Sequence, residues 1–452
     1  MRLRVPLRSI RARSGLIRAL LLLPGLSLAL WLSLHPALRD LKGYSGGPQS
    51  DFAQAIYYPV RAFLDGLNPY DASSFRGHYP VRDAFAPYFP STLLLHLPLG
   101  FMPLATAAAW YLVVGILLTL VLAALCLRLN GLKSSIPNVL FLVIVIVLSR
   151  PWRQCMLLGQ VTLELVLASY VTLYFAHSAP RLSGLGLAFA SFKPSYGFPL
   201  ALLMLVRRDR LALGYAALFV LLLNLPVGAI LAYRAGGMHT FAEQLGTTFS
   251  GFQAMAPANS PVFSQTRIDA VALVGRFVGQ APDVAGQMLV ALAVLGLAAI
   301  AVRTGSKSPY DQQLFGWSSG LVCAAVLLSG YHQPHDLLLL TLPFVAAADR
   351  RLCPAIAAAR MRFTVLVLFT FLAFNYPLSN SVFHRLNLMV PGAGAGLETL
   401  AREPLALALA SFSGLALLAL FCSYVVIALN QPQVAWLRPS IAASSPNGPP
   451  VP

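Results

Sequence analysis

The carboxylate of Asp51 is the group whose position most suggests chemistry. It begins a segment, 51–67, in which one helical face is apolar and another is polar. An amphipathic helix of this kind is expected to lie in the membrane interface, with Asp51 and Tyr58 on its polar face. A carboxylate at that depth could take a proton from a substrate hydroxyl as a general base. The structural alternative is that Asp51 caps the helix and that Gln54 completes a capping box.

Charged residues within or beside apolar stretches need a partner or a function. Glu164, one helical turn after Gln160, and Lys193 interrupt long apolar stretches, and Arg150 and Arg153 directly follow another one. One interpretation is a buried ion pair between Glu164 and Lys193. The other is a pocket for an anionic group, because an arginine fork matches phosphate oxygens and a buried lysine supplies a point charge.

Two polar loops supply further candidates, Asn259 and Arg267 in one and His332 and His335 in the other. The two histidines and the adjacent Asp336 could suggest a metal site. However, the proline between the histidines argues against a shared helical face, and no cysteine cluster supports metal binding, so we predict no metal site. Hydrogen bonding or proton transfer is the predicted role of the histidines, and a purely interfacial location is equally compatible.

Membrane-spanning helices must position these residues. Of the 452 residues, 58% are hydrophobic and 10% are charged, and the mean hydropathy is +0.72. Soluble globular chains carry about 25% charged residues, so this composition excludes a large water-soluble enzyme and a disordered scaffold. A crossing needs about 20 apolar residues. The candidate crossings are 16–35, 104–128, 159–177, 211–233, 284–303, 312–329, 363–379 and 404–429. Two shorter candidates are 136–149 and 335–348.

The predicted fold class is an all-α polytopic membrane protein with about ten transmembrane helices, a re-entrant hairpin and amphipathic juxtamembrane helices. The hairpin concerns the segment 182–206. A full crossing there would put the following basic cluster outside, whereas a hairpin leaves 19 of the 32 Lys and Arg residues inside, as the positive-inside rule requires. The net charge of +17 therefore follows from topology and does not indicate nucleic-acid binding.

This topology places the N-terminus in the cytoplasm, with the first crossing as an uncleaved anchor. The loops 36–86 and 234–283 then face outside. We expect one transmembrane domain over 1–429 and a disordered cytoplasmic tail over 430–452, where proline and serine are frequent.

Several motifs follow one another in a recognisable order. They are Asp51-Phe52, Phe63-Leu64-Asp65-Gly66-Leu67-Asn68-Pro69-Tyr70, Tyr88-Phe89-Pro90, Leu97-Pro98-Leu99, Gly159-Gln160, Phe192-Lys193-Pro194 with Arg207-Arg208, and Tyr331-His332 with His335. Over roughly 16–350 the chain thereby resembles glycosyltransferase family 87 (GT87, DUF2029) of the GT-C superfamily. That family includes integral-membrane mannosyltransferases that use polyprenyl-phosphate mannose. The middle outer loop departs from the family pattern, since only Asn259-Ser260 and Arg267 remain of it.

The resemblance implies a bacterial inner-membrane hexosyltransferase whose active site faces the periplasm or the outside. Asp51 matches the family's catalytic base, and the leaving lipid phosphate would need cationic donors but no general acid. The expected donor-phosphate contacts are Lys193, Arg150, Arg153 and Arg267. The expected sugar or acceptor contacts are Tyr58, Gln160, Asn259, His332 and His335. The donor is a polyprenyl-phosphate sugar, the acceptor a glycolipid, glycan or protein, and no cofactor is expected.

Two other functions fit the same residues. A transporter or lipid flippase would use Glu164 and Lys193 as a coupled ion pair. A membrane acyltransferase or phosphotransferase would instead depend on His332 or His335. The sugar, the acceptor and the length of the polyprenol are not encoded in any motif.

Overall fold

A computed structural model describes residues 7–43, 51–255, 259–264, 266–305, 317–349, 359–376 and 404–429. All regular elements in these ranges are helical. The N-terminal half contains α1 Leu7–Gly43, α2 Tyr58–Leu64, α3 Ala72–His78, α4 Ser91–Leu95, α5 Leu104–Leu129, α6 Ile136–Val147, α7 Arg150–Leu158, α8 Thr162–Phe175, α9 Pro180–Ala190, α10 Pro194–Arg207 and α11 Arg210–Arg234. The remainder contains α12 Met238–Met255, α13 Ala270–Val278, α14 Val284–Gly305, α15 Trp317–Ser329, α16 Thr341–Ala348, α17 Ala359–Phe374 and α18 Pro404–Leu429.

The helices of the described residues confirm an all-α membrane protein, whereas the predicted count of about ten crossings is not confirmed. Five helices are long and apolar enough to cross a membrane. A sixth crossing results if α6 and α7, which meet at an angle of 73°, count as one. Three apolar helical segments, Thr162–Phe175, Ser318–Ser329 and Pro334–Ala348, are shorter than the roughly 20 residues that a crossing needs.

The long helices α11 and α14 turn apolar side chains outward. On α11, Leu221, Leu222 and Leu225 are more than half exposed. Large exposed apolar surfaces of this kind are unfavourable in water and are normal against lipid tails.

The two ends of the α9–α10 segment meet. His177, which precedes α9, lies 3.2 Å from a carboxylate oxygen of Asp209 and 3.4 Å from a guanidinium nitrogen of Arg207, at the end of α10. Gly184 allows α9 to pack closely on α11, since a Cβ there would lie 2.5 Å from the Cβ of Tyr215. The segment therefore returns to where it began, and its tip carries Lys193.

The beginning of the segment 51–67 differs from the predicted interfacial helix. A π-helical turn, Phe52–Tyr57, leads into α2, which ends at Leu64 because Gly66 adopts a left-handed backbone with φ +86°. Apolar and polar side chains of the turn are both buried, including Phe52 and Gln54. This turn thus packs into the protein on both faces and does not lie with one face in lipid, whereas Arg61 on α2 is exposed.

Some predictions fall on residues that the structure leaves undescribed. The tail 430–452, the part of the first loop over 44–50 and the ends 312–316 and 377–379 of two candidate crossings lie outside the described residues.

Candidate active site

Asp51 does not cap a helix. Its own backbone is helical, with φ −63° and ψ −25°, and its side chain makes no capping hydrogen bond. Gln54, the expected partner in a capping box, instead accepts hydrogen bonds from the backbone nitrogens of Arg82 and Asp83, at 3.2 and 3.1 Å. The structural interpretation of Asp51 is therefore wrong. Its carboxylate accepts a hydrogen bond from the side-chain amide of Gln160 through one oxygen, which leaves the other oxygen without a described partner.

Gly159 brings Gln160 to this carboxylate. It ends α7 in a left-handed conformation, with φ 68° and ψ 47°. A Cβ at this position would lie 2.5 Å from the Cβ of Phe52, the residue after Asp51. Conformation and space both require glycine here, which gives the Gly159-Gln160 motif a physical reason.

The pKa of Asp51 is raised from 3.8 to about 6. Burial is the largest cause, because a low-dielectric environment disfavours the charged form. The hydrogen bond from Gln160 and the charges of Arg82 and Lys193 lower the pKa, whereas the charge of Asp83 raises it. A carboxyl group with a pKa near 6 is suited to general-base catalysis near neutral pH.

Asp336 is the centre of a second cluster, in which several hydrogen-bond donors surround the carboxylate. Both of its oxygens lie 3.0 Å from the ammonium nitrogen of Lys193. Three further groups donate hydrogen bonds to this carboxylate. They are the hydroxyl of Tyr196 at 2.9 Å, Nδ1 of His332 at 3.0 Å and the backbone nitrogen of Gln333 at 3.1 Å. Asp336 is fully buried and links the hairpin tip to the segment between α15 and α16.

The expected ion pair between Glu164 and Lys193 is wrong, since each has another partner. Glu164 lies 3.2 Å from Nε2 of His96 and accepts a hydrogen bond of 3.1 Å from Tyr111. Lys193 pairs with Asp336. The sequence held no signal for the second pairing, because 143 residues separate its members.

Both carboxylates act electrostatically on one aromatic residue, Tyr88. Tyr88 is buried, and its pKa is raised by burial first and then by the charges of Asp51 and Asp336. Its ring contacts that of Phe192, the residue before Lys193, at a centroid distance of 5.9 Å. The charge of Lys193 also acts on Asp51. Gln160 thus contacts Asp51, whereas Lys193 and His332 meet at Asp336. Asp336 and Tyr88 were not among the residues that the sequence singled out for the site.

Arg267 belongs to the framework of the site. Its guanidinium donates two hydrogen bonds to Asp269, of 2.9 and 2.7 Å, and a third of 2.9 Å to the carbonyl of Asn259. The side chain of Asn259 accepts a hydrogen bond of 2.9 Å from Tyr331. Ile268 donates through its backbone nitrogen to the carbonyl of His332. These contacts fix the loop 234–283 to the segment that contains Tyr331 and His332.

The remaining predicted residues are more scattered. His335 is buried, with Nε2 3.8 Å from Asp336 and no hydrogen bond at Nδ1. The ring of Tyr58 packs on those of Tyr57 and Tyr79. His335 thus adjoins Asp336, and Tyr58 belongs to an aromatic group that follows Asp51 in the chain.

The described partners of Arg150 and Arg153 are residues other than Asp51 and Asp336. Arg150 donates a hydrogen bond of 2.8 Å to the side-chain oxygen of Asn375, and the guanidinium of Arg153 lies over the ring of Tyr376. The structure does not bring either arginine into contact with Asp51.

Nothing in the described ranges resembles a metal centre, because no group of three or more His, Cys, Asp or Glu side chains could hold a metal ion there. His332, His335 and Asp336 are close to one another, yet Lys193 occupies the position at Asp336 that a cation would need.

Residues 85–330, more than half of the chain, match the family model described as glycosyltransferase family 87. The matched range contains Gln160, Lys193 and Arg267 but ends before His332 and begins after Asp51. No curated protein and no solved structure matches the chain.

Proposed function

The chain belongs to glycosyltransferase family 87, and from this premise we propose that it transfers a hexose, such as mannose, from a polyprenyl-phosphate donor to an acceptor hydroxyl. The family match confirms the resemblance predicted from the motifs and makes the protein a membrane glycosyltransferase. The GT-C class, the lipid-linked donor and the acceptor, which is a glycolipid, a glycan or a protein, are parts of the proposal.

The observation that carries the proposal is the state of Asp51. One carboxylate oxygen is held by Gln160, the other has no described partner, and the pKa is about 6. We propose that the second oxygen takes the proton of the acceptor hydroxyl while the acceptor oxygen bonds to C1 of the sugar. The bond from C1 to the phosphate oxygen breaks at the same time, and its electron pair leaves with the polyprenyl phosphate. A single displacement of this kind inverts the anomeric carbon.

Lys193 is the proposed contact for the leaving phosphate. An ammonium group has three N–H donors, so Lys193 retains one besides the two that face Asp336. Positive charge near the departing oxygen stabilises the negative charge that develops there. Asp336 would act as a positioning residue, because it fixes both Lys193 and His332.

The other predicted contacts divide according to their surroundings. We propose that Gln160, beside Asp51, and His332 and His335, beside Asp336, contact the sugar or the acceptor. For Tyr58 and Asn259 the same role remains a prediction from the sequence. Arg267 is committed to Asp269, and we assign it a framework role. Arg150 and Arg153 are not part of the proposed donor site.

The proposed orientation follows the charge distribution. The N-terminus lies in the cytoplasm of a bacterial inner membrane, and Asp51 and Asp336 face the outside. The meeting of His177 with Arg207 and Asp209 supports a hairpin that enters and leaves on the cytoplasmic side. The alternative function as a transporter required a coupled ion pair between Glu164 and Lys193. These residues have separate partners, so that alternative is not supported.

The test uses purified protein in liposomes with a radiolabelled polyprenyl-phosphate hexose and a membrane extract as the source of acceptors. We expect label transfer by the wild type and its near-complete loss in Asp51→Asn. The matched control is Asp65→Asn, which removes an exposed carboxylate of the same loop that pairs with Arg61. Equal transfer by Asp51→Asn and the wild type would show that Asp51 is not the catalytic base. Loss in both variants would indicate a general effect on the loop.

A further inference from the structure

An apolar groove lies between α6, α16 and α17, and none of the side chains that line it belongs to the proposed active site. Its volume is about 480 Å³, counting the space at its open side. Leu142 and Ile146 line it from α6, Phe344 from α16 and Phe369 from α17. Such a lining suits an alkyl chain and offers almost no hydrogen bonds to a polar ligand.

A buried cation adjoins this groove. Ser149 and Pro151, the neighbours of Arg150 in the chain, line the groove, as does Phe374, the neighbour of Asn375. Arg150 is only 3% exposed, and its hydrogen bonds go to the carbonyl and the side-chain oxygen of Asn375.

The charge of Arg150 has no acidic counterpart in the described part of the chain. Its Nε makes no hydrogen bond. One helical turn later, Arg153 lies with its guanidinium 5.9 Å from the ring centre of Tyr376 and likewise forms no ion pair within the described ranges. A buried guanidinium that faces only neutral acceptors is costly, and an anion would compensate for it.

We propose that an anionic phospholipid of the surrounding bilayer binds here, with one acyl chain in the groove and its phosphate at Arg150 and Arg153. The arginine fork is complementary to phosphate oxygens, and the apolar groove selects an amphiphile over free phosphate. The lipid would bridge α6, α7 and α17, and would stabilise the bent junction between α6 and α7.

The donor lipid is not the occupant. Arg150 begins α7 and Gln160 follows its end, so the nine residues of the helix separate them by about 13 Å. A donor phosphate is bonded to the reacting carbon and must lie beside Asp51, which Gln160 contacts. This exclusion is the only step that depends on the proposed function.

The experiment measures lipids that stay bound to the full-length protein. Protein is reconstituted in nanodiscs of phosphatidylcholine with a minor fraction of phosphatidylglycerol, extracted with mild detergent and analysed by native mass spectrometry. We expect the wild type to retain phosphatidylglycerol selectively. Arg150→Gln and Ala373→Phe, which act on the charge and on the groove respectively, should each lower the retained fraction at least tenfold. The control Arg61→Gln removes an arginine elsewhere and should leave it unchanged.

The proposal is overturned if the wild type retains both lipids equally, or if Arg150→Gln and Ala373→Phe retain as much phosphatidylglycerol as the wild type. Displacement of phosphatidylglycerol by an equimolar amount of polyprenyl phosphate would assign the groove to the donor and would also overturn it. Displacement by excess inorganic phosphate would contradict the role of the acyl chain. If Arg150→Gln does not fold, Arg153→Gln replaces it, and Ala373→Phe keeps the test independent of both arginines.

Discussion

The two carboxylates of the candidate site have opposite environments. Asp51 faces one neutral amide and keeps an oxygen without a described partner. Asp336 is surrounded by an ammonium, an imidazole, a tyrosine hydroxyl and a backbone nitrogen. A carboxylate whose lone pairs are all engaged holds other groups in place, whereas a carboxylate with an uncommitted oxygen and a raised pKa can accept a proton. The contrast separates catalysis at Asp51 from positioning at Asp336.

The largest effect on transfer is expected at Asp51. Asp51→Asn keeps the shape of the side chain and removes the base, so the rate of label transfer should fall by about 10²–10⁴. Donor binding, measured with the radiolabelled polyprenyl-phosphate hexose, should be retained. A variant that transfers at more than a tenth of the wild-type rate would break the distinction between the two carboxylates.

The same substitution should not reduce stability. The pKa of Asp51 is about 6 in the folded protein and 3.8 for an ordinary aspartate, so the folded state binds the proton more strongly. This group contributes stability below about pH 4 and loses that contribution as the pH rises through 6. At pH 7 the unfolding temperature of Asp51→Asn should therefore equal or exceed that of the wild type, as measured by thermal unfolding in detergent.

Asp336→Asn should instead be strongly destabilising, by about 3–5 kcal/mol, because it leaves the buried Lys193 ammonium without its carboxylate. Combining it with Lys193→Met removes the uncompensated charge and should recover most of the stability but not the activity. The measurement is denaturant or thermal unfolding of the two single variants and the double variant. Additive losses would show that the ion pair is not coupled.

A smaller effect is expected at Gly159. In Gly159→Ala, the alanine must adopt a left-handed backbone, which alone costs roughly 1–2 kcal/mol. Its Cβ would also collide with Phe52, so the loss of stability should exceed that backbone cost. It should also lower transfer, because it moves Gln160 away from Asp51. Gly131→Ala is the matched control: its φ is +65°, yet no atom lies within 4 Å of the added Cβ. Equal effects of the two substitutions would show that the contact between Gly159 and Phe52 does not matter.

Local patterns predicted much of the fold and little of the site. The apolar stretches 104–128 and 211–233 coincide with α5 and α11 to within a residue at each end, because length and apolarity are properties of the segment itself. The partner of Lys193 depends on how distant segments pack, and no periodicity near position 193 or 336 encodes it. The helical pattern of 51–67 predicts an interfacial helix, but packing against Gly159 buries both faces of its first part, Phe52–Tyr57.

The pH dependence of transfer tests the role of Asp51 most directly. The acid limb of kcat/KM reports the pKa of the base in the free enzyme, and we expect it near 6 in the wild type. Asp83 raises this pKa and Arg82 lowers it. The limb should therefore move to lower pH in Asp83→Asn and to higher pH in Arg82→Gln. Opposite shifts would identify Asp51 as the titrating base, whereas an acid limb that stays in place or moves in the same direction in both variants would contradict that role.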